Sequence, residues 1–233
     1  MDLRFRNPSS FYIAGATQSG KTTFVRNLLR FAKHKLRDPR CMQNVIYFYK
    51  DDAVMNLMQG DNLVHTWINE KPTTESFVSA VKDYVKVGGS IVIIDDFGES
   101  IDKDINDIFK VYCHHCNATV FFMVQNLHEN NSRGVSLNAT YIVVFKNPRD
   151  GMQISHLARQ LAISCSNFKW LVAAYLDATR EPHSYLLIDN HQETPDHLRV
   201  SSCRLPPDEQ PAKFYVEKGK GRLKFPKRER VCV

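Results

Sequence analysis

One eight-residue stretch near the N-terminus constrains this chain more than any other feature. Residues 15–22 read Gly-Ala-Thr-Gln-Ser-Gly-Lys-Thr and fit the pattern G-x-x-x-x-G-K-[ST], in which the backbone N–H groups of a glycine-rich loop surround phosphate groups. Residues 10–14 form a short, mostly apolar run, as in a buried strand, and residues 23–32 carry apolar side chains at helical spacing. The sequence therefore predicts a strand, a phosphate-binding loop and a helix in that order.

The residue types in this loop indicate which groups bind a nucleotide. Lys21 is expected to reach the β- and γ-phosphates, and Thr22 to place its hydroxyl on Mg²⁺. The positive end of the helix that begins near Gly20 points at the same place. The residues expected to bind the nucleotide are Gly15, Ala16, Thr17, Gln18, Ser19, Gly20, Lys21, Thr22 and Thr23. The alternative is an ordinary glycine-containing turn followed by a surface lysine.

Composition narrows the class of protein. A chain of 233 residues with a hydrophobic fraction of 43% suits one α/β domain, or one domain with a short tail. The six cysteines lack a framework spacing and the N-terminus lacks the apolar segment of a signal peptide, so we expect free thiols in a reducing compartment. We expect no membrane span, because no apolar run is long enough. The net charge of +6 permits a polyanionic partner.

A second motif places two carboxylates after a buried strand. Residues 91–97 read Ile-Val-Ile-Ile-Asp-Asp-Phe, and four continuous β-branched residues indicate a strand buried on both faces of a parallel sheet. Asp95 is expected to hold the Mg²⁺ shell, through water or through Thr22. Asp96 is placed to orient and deprotonate the attacking water. Alternatively, the pair caps the helix that follows.

A third strand delivers polar side chains toward the same region. Residues 118–124 are apolar and lead into Gln125 and Asn126, which lie beside the carboxylates if the two strands are neighbours. An amide there could sense the γ-phosphate or hold the lytic water, whereas a turn-forming asparagine is the alternative. The polar segment 127–136 contains Arg133, which is either solvated or, in a ring of subunits, able to reach a neighbour's γ-phosphate.

The rest of the chain alternates between strands and helices, which favours a parallel α/β sheet. Residues 113–116 read Cys-His-His-Cys, but we expect no zinc site, because adjacent ligands on one turn cannot all face a tetrahedral ion. Further strands are predicted at 45–49, 63–67, 141–145 and 184–189, and helices from 73 and at 101–112, 154–162 and 168–179.

The C-terminal part differs in composition from the rest. Prolines gather after about residue 194, and residues 218–230 are strongly basic. We expect an extended or disordered basic tail. Three roles of this tail stay open: contact with nucleic acid phosphates, a nuclear localisation signal, or charged residues that are only solvated.

Four segments together resemble the genome-packaging ATPases of the HerA–FtsK superfamily. They are residues 15–22, residues 91–97, the pair Gln125-Asn126, and residues 136–150, which read Ser-Leu-Asn-Ala-Thr-Tyr-Ile-Val-Val-Phe-Lys-Asn-Pro-Arg-Asp. The phosphate loop is generic, whereas the last segment is specific to this group. The chain is most similar to the ATPases of Maverick/Polinton elements, adintoviruses and related large DNA viruses. The resemblance covers roughly residues 8–205.

The resemblance implies an α/β fold with a RecA-like P-loop NTPase core, in which helices flank a mostly parallel central sheet with an extra strand. This ATPase domain would occupy residues 1–200, and residues 201–233 would form a proline-containing extension and a basic C-terminal tail. The resemblance also implies a ring of five or six subunits that hydrolyses ATP with Mg²⁺ to move double-stranded DNA into a preformed capsid. Capsid or portal vertex proteins would be further partners, with no membrane partner. The expected location is inside the host cell, in the nucleus or a cytoplasmic virus factory, or in the virion, without secretion.

The resemblance also implies roles for single residues. Lys21 and Thr22 would bind phosphates and Mg²⁺, and Asp95 would support the metal. Asp96 takes the position of the catalytic acid, where many members have glutamate, so its shorter side chain requires a closer approach or an intervening water.

Gln125 fits the sensor position, and Arg133 is our choice for an arginine that acts on a neighbouring subunit, with Arg149 as the alternative. Two other functions stay open. One is a nucleotide-gated assembly factor with little turnover, and the other is a metabolic phosphotransferase that shares only the loop.

Overall fold

A single ten-stranded sheet forms the centre of the molecule. The computed structural model describes residues 2–58, 61–148, 151–161, 168–205, 212–217 and 231–232. The strand order is β10-β9-β8-β7-β6-β1-β5-β4-β2-β3. The strands are β1 Ser10–Ala14, β2 Val45–Phe48, β3 Thr66–Ile68, β4 Ser90–Asp95, β5 Ala118–Val124, β6 Tyr141–Phe145, β7 Tyr185–Asp189, β8 Val200–Ser202, β9 Lys213–Tyr215 and β10 Val231–Cys232.

The sheet has a parallel half and a mainly antiparallel half. β3, β2, β4, β5, β1 and β6 run parallel to one another. β7 pairs antiparallel with β6 and β8, and β9 pairs antiparallel with β8. β10 pairs parallel to β9. Every residue of β1, β5 and β6 is buried, as expected for apolar strands with helices on both faces. The predicted mostly parallel sheet is confirmed.

Helices cover both faces of this sheet. The side chains of α1 to α3 pack on one face, and those of α4, α5 and α7 to α9 pack on the other. A π-helical segment, Ile108–Tyr112, separates α5 from α6. The helices are α1 Lys21–Arg30, α2 Ala32–Lys35, α3 Ala53–Met58, α4 Thr74–Val81, α5 Lys103–Asp107, α6 Cys113–His115, α7 Arg133–Asn138, α8 Gly151–Leu161 and α9 Lys169–Ala178. None of the helices in the described part of the chain is long and apolar enough to cross a membrane.

Local sequence signals explain several of these boundaries. Thr73 caps α4 in a capping box, in which its side chain accepts a hydrogen bond from the N–H of Ser76 and the Ser76 side chain accepts one from the N–H of Thr73. Cys113 is buried, and its thiol donates a hydrogen bond to the carbonyl of Ala118. Burial raises the pKa of this thiol to about 12, so Cys113 serves as a core residue.

The structure departs from the sequence expectations in the C-terminal part. The described residues beyond 200 complete β8 and add β9 and β10 to the main sheet, where we expected a proline-containing extension and a basic tail. The division between a domain at 1–200 and an extension at 201–233 stays a prediction. The basic run at 218–230 and the prolines at 206, 207 and 211 lie outside the described residues.

Candidate functional site

Three neighbouring parallel strands, β1, β5 and β4, end at the same edge of the sheet. Ala14 at the end of β1 pairs with Val124 at the end of β5, and Asp95 at the end of β4 pairs with Met123. Adjacent strands lie about 4.8 Å apart, so the loop, the amide and the carboxylates that follow these strands share one small region. Ligands in α/β proteins bind at this edge.

The phosphate loop has a backbone shape that larger residues would disturb. A Cβ on Gly15 would lie 2.6 Å from Ser19 Oγ and 2.6 Å from Phe145 Cβ, so the loop can pass here only with glycine. Gln18 and Gly20 have φ angles of 62° and 110°. These left-handed conformations turn successive N–H groups toward one side, as in an anion-binding nest.

The first turn of α1 leaves its N–H groups free of side-chain caps. Gly20 occupies the cap position with no side-chain hydrogen bond, and Thr22 and Thr23 lie in the first turn of the helix. Uncapped N–H groups and the positive end of the helix favour an anion such as phosphate. The loop and α1 thus form a cradle suited to an anion, and the strand, loop and helix follow in the predicted order.

Lys21 lies within this cradle. Its ammonium donates hydrogen bonds to the carbonyl oxygens of Gly15 at 2.6 Å and Ala16 at 3.1 Å. Burial lowers the pKa of Lys21, and the negative charges of Asp95 and Asp96 oppose that shift. The structure therefore brings the lysine and the two carboxylates into one site.

Asp95 is held by a tyrosine that we did not predict as part of the site. The hydroxyl of Tyr47, on β2, donates a 2.9 Å hydrogen bond to Asp95 Oδ2, and the Tyr47 ring stacks on Trp67 at 5.0 Å. Burial raises the pKa of Asp95 to about 6, with the Tyr47 hydrogen bond and the Lys21 charge acting in the opposite direction. A strand rich in aromatic residues beside β4 was the available signal, but sequence alone does not show which hydroxyl meets which carboxylate.

Asp96 and Gln125 contact each other directly. The Gln125 side-chain amide donates a 3.0 Å hydrogen bond to Asp96 Oδ1. Asp96 has a φ of 65°, a conformation that non-glycine residues adopt mainly at special positions. The side chains of Gln125 and Asp96 are therefore neighbours, as predicted, and the amide orients one Asp96 oxygen.

Arg133 lines a cleft that includes none of these groups. We expected it in a loop, but it is the first residue of α7, and it lines a separate cleft of about 530 Å³. The other residues that line this cleft are His128, Glu129, Asn131, Ser132, Ser136, Met152, Gln153, His156 and Gln160, with none from the phosphate loop. The alternative, Arg149, lies outside the described residues.

The donor set fits a magnesium–triphosphate complex. Mg²⁺ takes oxygen ligands, and it is usually held by one or two carboxylates together with water and substrate phosphates. The hydroxyl of Thr22 and the carboxylate of Asp95 are such ligands. Within the described ranges, no three His, Cys, Asp or Glu side chains group to hold a metal by themselves.

Comparison with known protein families gives a match over most of the chain. The profile of the family described as Poxvirus A32 protein matches residues 3–200. Among curated protein sequences, none matches this chain.

Solved structures share the fold at low sequence identity. B204, the DNA-packaging ATPase of Sulfolobus turreted icosahedral virus, superposes with a TM-score of 0.52 and 15% identity, over 79% of this chain and 94% of that one. The genome-packaging NTPase B204 of Sulfolobus turreted icosahedral virus 2, solved with AMPPCP, gives 0.51 and 14%, over 81% and 96%. The cytoplasmic domain of the type VII secretion ATPase EccC from Thermomonospora curvata gives 0.51 and 15%, over 83% of this chain and 26% of that one. These likenesses show the P-loop NTPase fold.

Proposed function

This chain belongs to the poxvirus A32 protein family of viral genome-packaging NTPases, and from that premise we propose that it hydrolyses ATP to drive double-stranded DNA into a capsid. The observation that carries the enzymatic part is the meeting of Lys21, Asp95 and Asp96 at one sheet edge. A nucleotide-binding loop alone would suit many functions. Here two carboxylates lie beside the loop, and the Gln125 amide donates a hydrogen bond to one of them. This arrangement suits hydrolysis of the terminal phosphate.

The residue roles in this proposal follow from position. The loop of residues 15–23 binds the phosphates through its backbone N–H groups, apart from those of Gly15 and Ser19, which donate to the carbonyls of Val124 and Ala16. The ammonium of Lys21 also binds the phosphates, for which it exchanges its loop carbonyl partners. Thr22 and Asp95 hold Mg²⁺, which neutralises charge on the phosphate oxygens when bound.

Asp96 accepts the proton of the attacking water, while the Gln125 amide keeps one Asp96 oxygen fixed. Because aspartate is shorter than glutamate, Asp96 reaches the water only at short range or through a second water. Its hydrogen bond to Gln125 supports a role for the two side chains as a unit.

The wider proposal concerns partners. The chain acts as a ring of five or six copies that moves double-stranded DNA at a capsid or portal vertex, without a membrane partner. It works inside the host cell, in the nucleus or a cytoplasmic virus factory, or in the virion. Family membership supports an interaction with DNA and self-association of the chain in general terms. Similarity to the proteins of Maverick/Polinton elements and adintoviruses stays a prediction.

The test is ATP turnover by the purified full-length chain with Mg²⁺, with and without duplex DNA. We expect turnover that DNA increases. The Lys21→Ala variant loses an ammonium that contacts charged phosphates, so nucleotide binding should weaken about 10- to 100-fold. Lys86→Ala, which changes an exposed lysine, serves as the matched control. Undetectable turnover in both conditions, with no effect of Lys21→Ala on binding, would refute the enzyme.

A second variant separates a motor from a nucleotide-gated scaffold. Asp96→Asn keeps the shape of the side chain and removes the base. A motor should lose about 100-fold or more of its turnover and all DNA movement, while nucleotide binding is retained. A scaffold would assemble and bind nucleotide as before and show little turnover in the unmodified chain.

A further inference from the structure

One end of the bound nucleotide has no assigned partner in the proposed site. The groups expected at the γ-phosphate, Asp95, Asp96 and Gln125, follow β4 and β5, which lie on one side of β1. β6 and β7 lie on the other side of β1. Because the phosphate chain passes the loop after β1, the α-phosphate and the nucleoside extend toward β6 and β7.

A turn of the chain occupies this place. β7 runs antiparallel to β6, with Tyr185 opposite Phe145, so the turn between α9 and β7 lies at the same edge of the sheet as the phosphate loop. The Cβ and Cα of His183, in that turn, lie 3.1 and 3.5 Å from the position that a Cβ on Gly20 would take. The turn and the phosphate loop therefore touch.

Buried aromatic rings fix the turn against the loop. Tyr185 packs edge-on against Phe24 of α1, with ring centroids 4.9 Å apart, and packs at a tilted angle against Phe145, with centroids 5.6 Å apart. Ser184 closes the turn, because its hydroxyl donates a 2.6 Å hydrogen bond to the carbonyl of Glu181. A residue in this turn thus has a defined position relative to the phosphates.

His183 itself has an unusual conformation and an exposed side chain. Its φ is 63°, a left-handed value that is uncommon for residues other than glycine, although less so for histidine, and such residues gather at ligand sites. The side chain is exposed, so the aromatic cluster beneath does not need the imidazole for packing. The imidazole is therefore placed where it could contact a ligand in the cradle.

We propose that His183 is a nucleoside-binding residue, whose imidazole packs against the base of the nucleotide held by the phosphate loop. This inference rests on the proposed function, because it needs a nucleotide in the cradle. A flat ring can stack on any base, and base–aromatic stacking contributes substantially to binding. His183 would add affinity for the nucleoside and leave the phosphate contacts unchanged.

The experiment compares two ligands with the full-length chain, a non-hydrolysable ATP analogue and inorganic tripolyphosphate, both with Mg²⁺. His183→Asn removes the ring and keeps a residue that tolerates the left-handed conformation. We expect the Kd for the analogue to rise about tenfold and the Kd for tripolyphosphate to stay unchanged. His183→Gly, which also relieves the backbone strain, should behave alike. His34→Asn, in α2 and exposed, is the matched control.

Several outcomes would overturn the inference. An unchanged Kd for the analogue in both His183 variants would remove the residue from the site, and equal weakening of both ligands would make it a phosphate contact. Equal affinity of the unmodified chain for the two ligands would mean that the nucleoside has no subsite. If the unmodified chain binds neither ligand, the proposed function fails as well, which separates that failure from the failure of this inference alone.

Discussion

The surroundings of Asp95 in the folded chain favour a protonation state that the proposed metal-binding role does not use. The Asp95 carboxylate lies where Mg²⁺ is expected, yet its surroundings favour the protonated form, since burial raises its pKa to about 6. In the unfolded chain an aspartate titrates near pH 4. Between these two values the folded chain binds the proton more strongly than the unfolded chain does, so stability falls as the pH rises.

The first prediction concerns this loss of stability with rising pH. Asp95→Asn removes the ionisable group and keeps an oxygen that can accept the Tyr47 hydrogen bond. Relative to the unmodified chain, the variant should gain stability as the pH rises from about 4 to 6, by no more than about 3 kcal/mol, and the difference should then stay constant. Denaturant unfolding at pH 4 to 8 without Mg²⁺ or nucleotide measures it. A stability difference that does not vary with pH would contradict the raised pKa.

Tyr47 offers a second prediction at the residue scale. Its hydroxyl fixes one oxygen of Asp95, and partners that orient a metal ligand typically change metal affinity 10- to 100-fold when they are lost. Tyr47→Phe keeps the ring that stacks on Trp67. We therefore expect fluorescent nucleotide binding to need at least about tenfold more Mg²⁺ for half-saturation, with Mg²⁺-free binding unchanged.

The control for this prediction is another buried tyrosine. The hydroxyl of Tyr12 donates to the backbone carbonyl of Leu127 at 3.0 Å, so Tyr12→Phe removes a hydroxyl of the same kind without touching the site carboxylates. If the two variants shift the Mg²⁺ requirement equally, the effect comes from general loss of stability, and Tyr47 has no positioning role.

At the scale of elements, the sequence predicted those parts of the fold that depend on short-range patterns. The continuous β-branched run before Asp95 identified β4, and the glycine pattern identified the loop and the start of α1. Parallel strands deliver their following residues to one edge, so even the meeting of Gln125 with Asp96 was foreseeable. These inferences needed only local periodicity and one rule of sheet geometry.

Other elements depend on contacts between distant residues, which a single sequence does not reveal. β8 and β9 are three residues each, too short for a periodic pattern, and they form because β7 offers an open edge. His183 lies beside Gly20 because β7 returns antiparallel to β6, and nothing in the turn itself indicates that return. The shift of Arg133 from a loop to the start of α7 likewise reflects packing of Val135 into the core.

A third prediction concerns these edge strands. Phe214 and Tyr215 of β9 are buried, the Tyr215 hydroxyl donates a 2.9 Å hydrogen bond to Asp177, and Arg204 lies 5.8 Å from the ring centroid of Phe214. Deleting residues 206–233 removes β9 and exposes the edge of β8. Loss of two buried aromatic side chains should lower the free energy of unfolding by at least about 3 kcal/mol.

The matched deletion removes residues 218–233, including the two-residue strand β10, and keeps β9. It should change the free energy of unfolding by less than about 1 kcal/mol, as measured by denaturant titration of both truncated chains. If the two truncations are equally stable, β9 contributes nothing to the domain, and the predicted boundary at residue 200 would be supported. A large loss only in the longer deletion would extend the domain to β9.

For the whole molecule, the two faces of the sheet carry different candidate site residues. The α1 helix, which carries Lys21, packs on one face, whereas α7, which begins with Arg133, packs through Val135 on the other. Among the described residues, the cleft beside Arg133 contains no phosphate-loop residue. We expect an arginine placed in this way to act on the nucleotide of a neighbouring subunit, as a head-to-tail ring would allow.

The last prediction tests that arrangement by mixing two inactive variants. Lys21→Ala subunits have a defective nucleotide site but an intact Arg133, and Arg133→Ala subunits have the reverse. If Arg133 acts across the interface, a Lys21→Ala subunit next to an Arg133→Ala subunit completes one working site, because the arginine stabilises charge on the transferred phosphoryl group. In a random equal mixture, about a quarter of the interfaces would be complete.

ATP turnover by co-expressed, doubly tagged rings measures the restoration, with each variant alone as the baseline. The pair Lys21→Ala and Asp96→Asn is the matched control, because both changes fall in the same subunit's site and no interface in the mixture combines an intact lysine with an intact base. Restoration by the Arg133 pair and none by the control pair is the expected result. If assembled mixed rings containing Arg133→Ala stay inactive, or if the control pair recovers equally, Arg133 does not act on its neighbour, and the packing of α7 on the face opposite α1 has a purely structural cause.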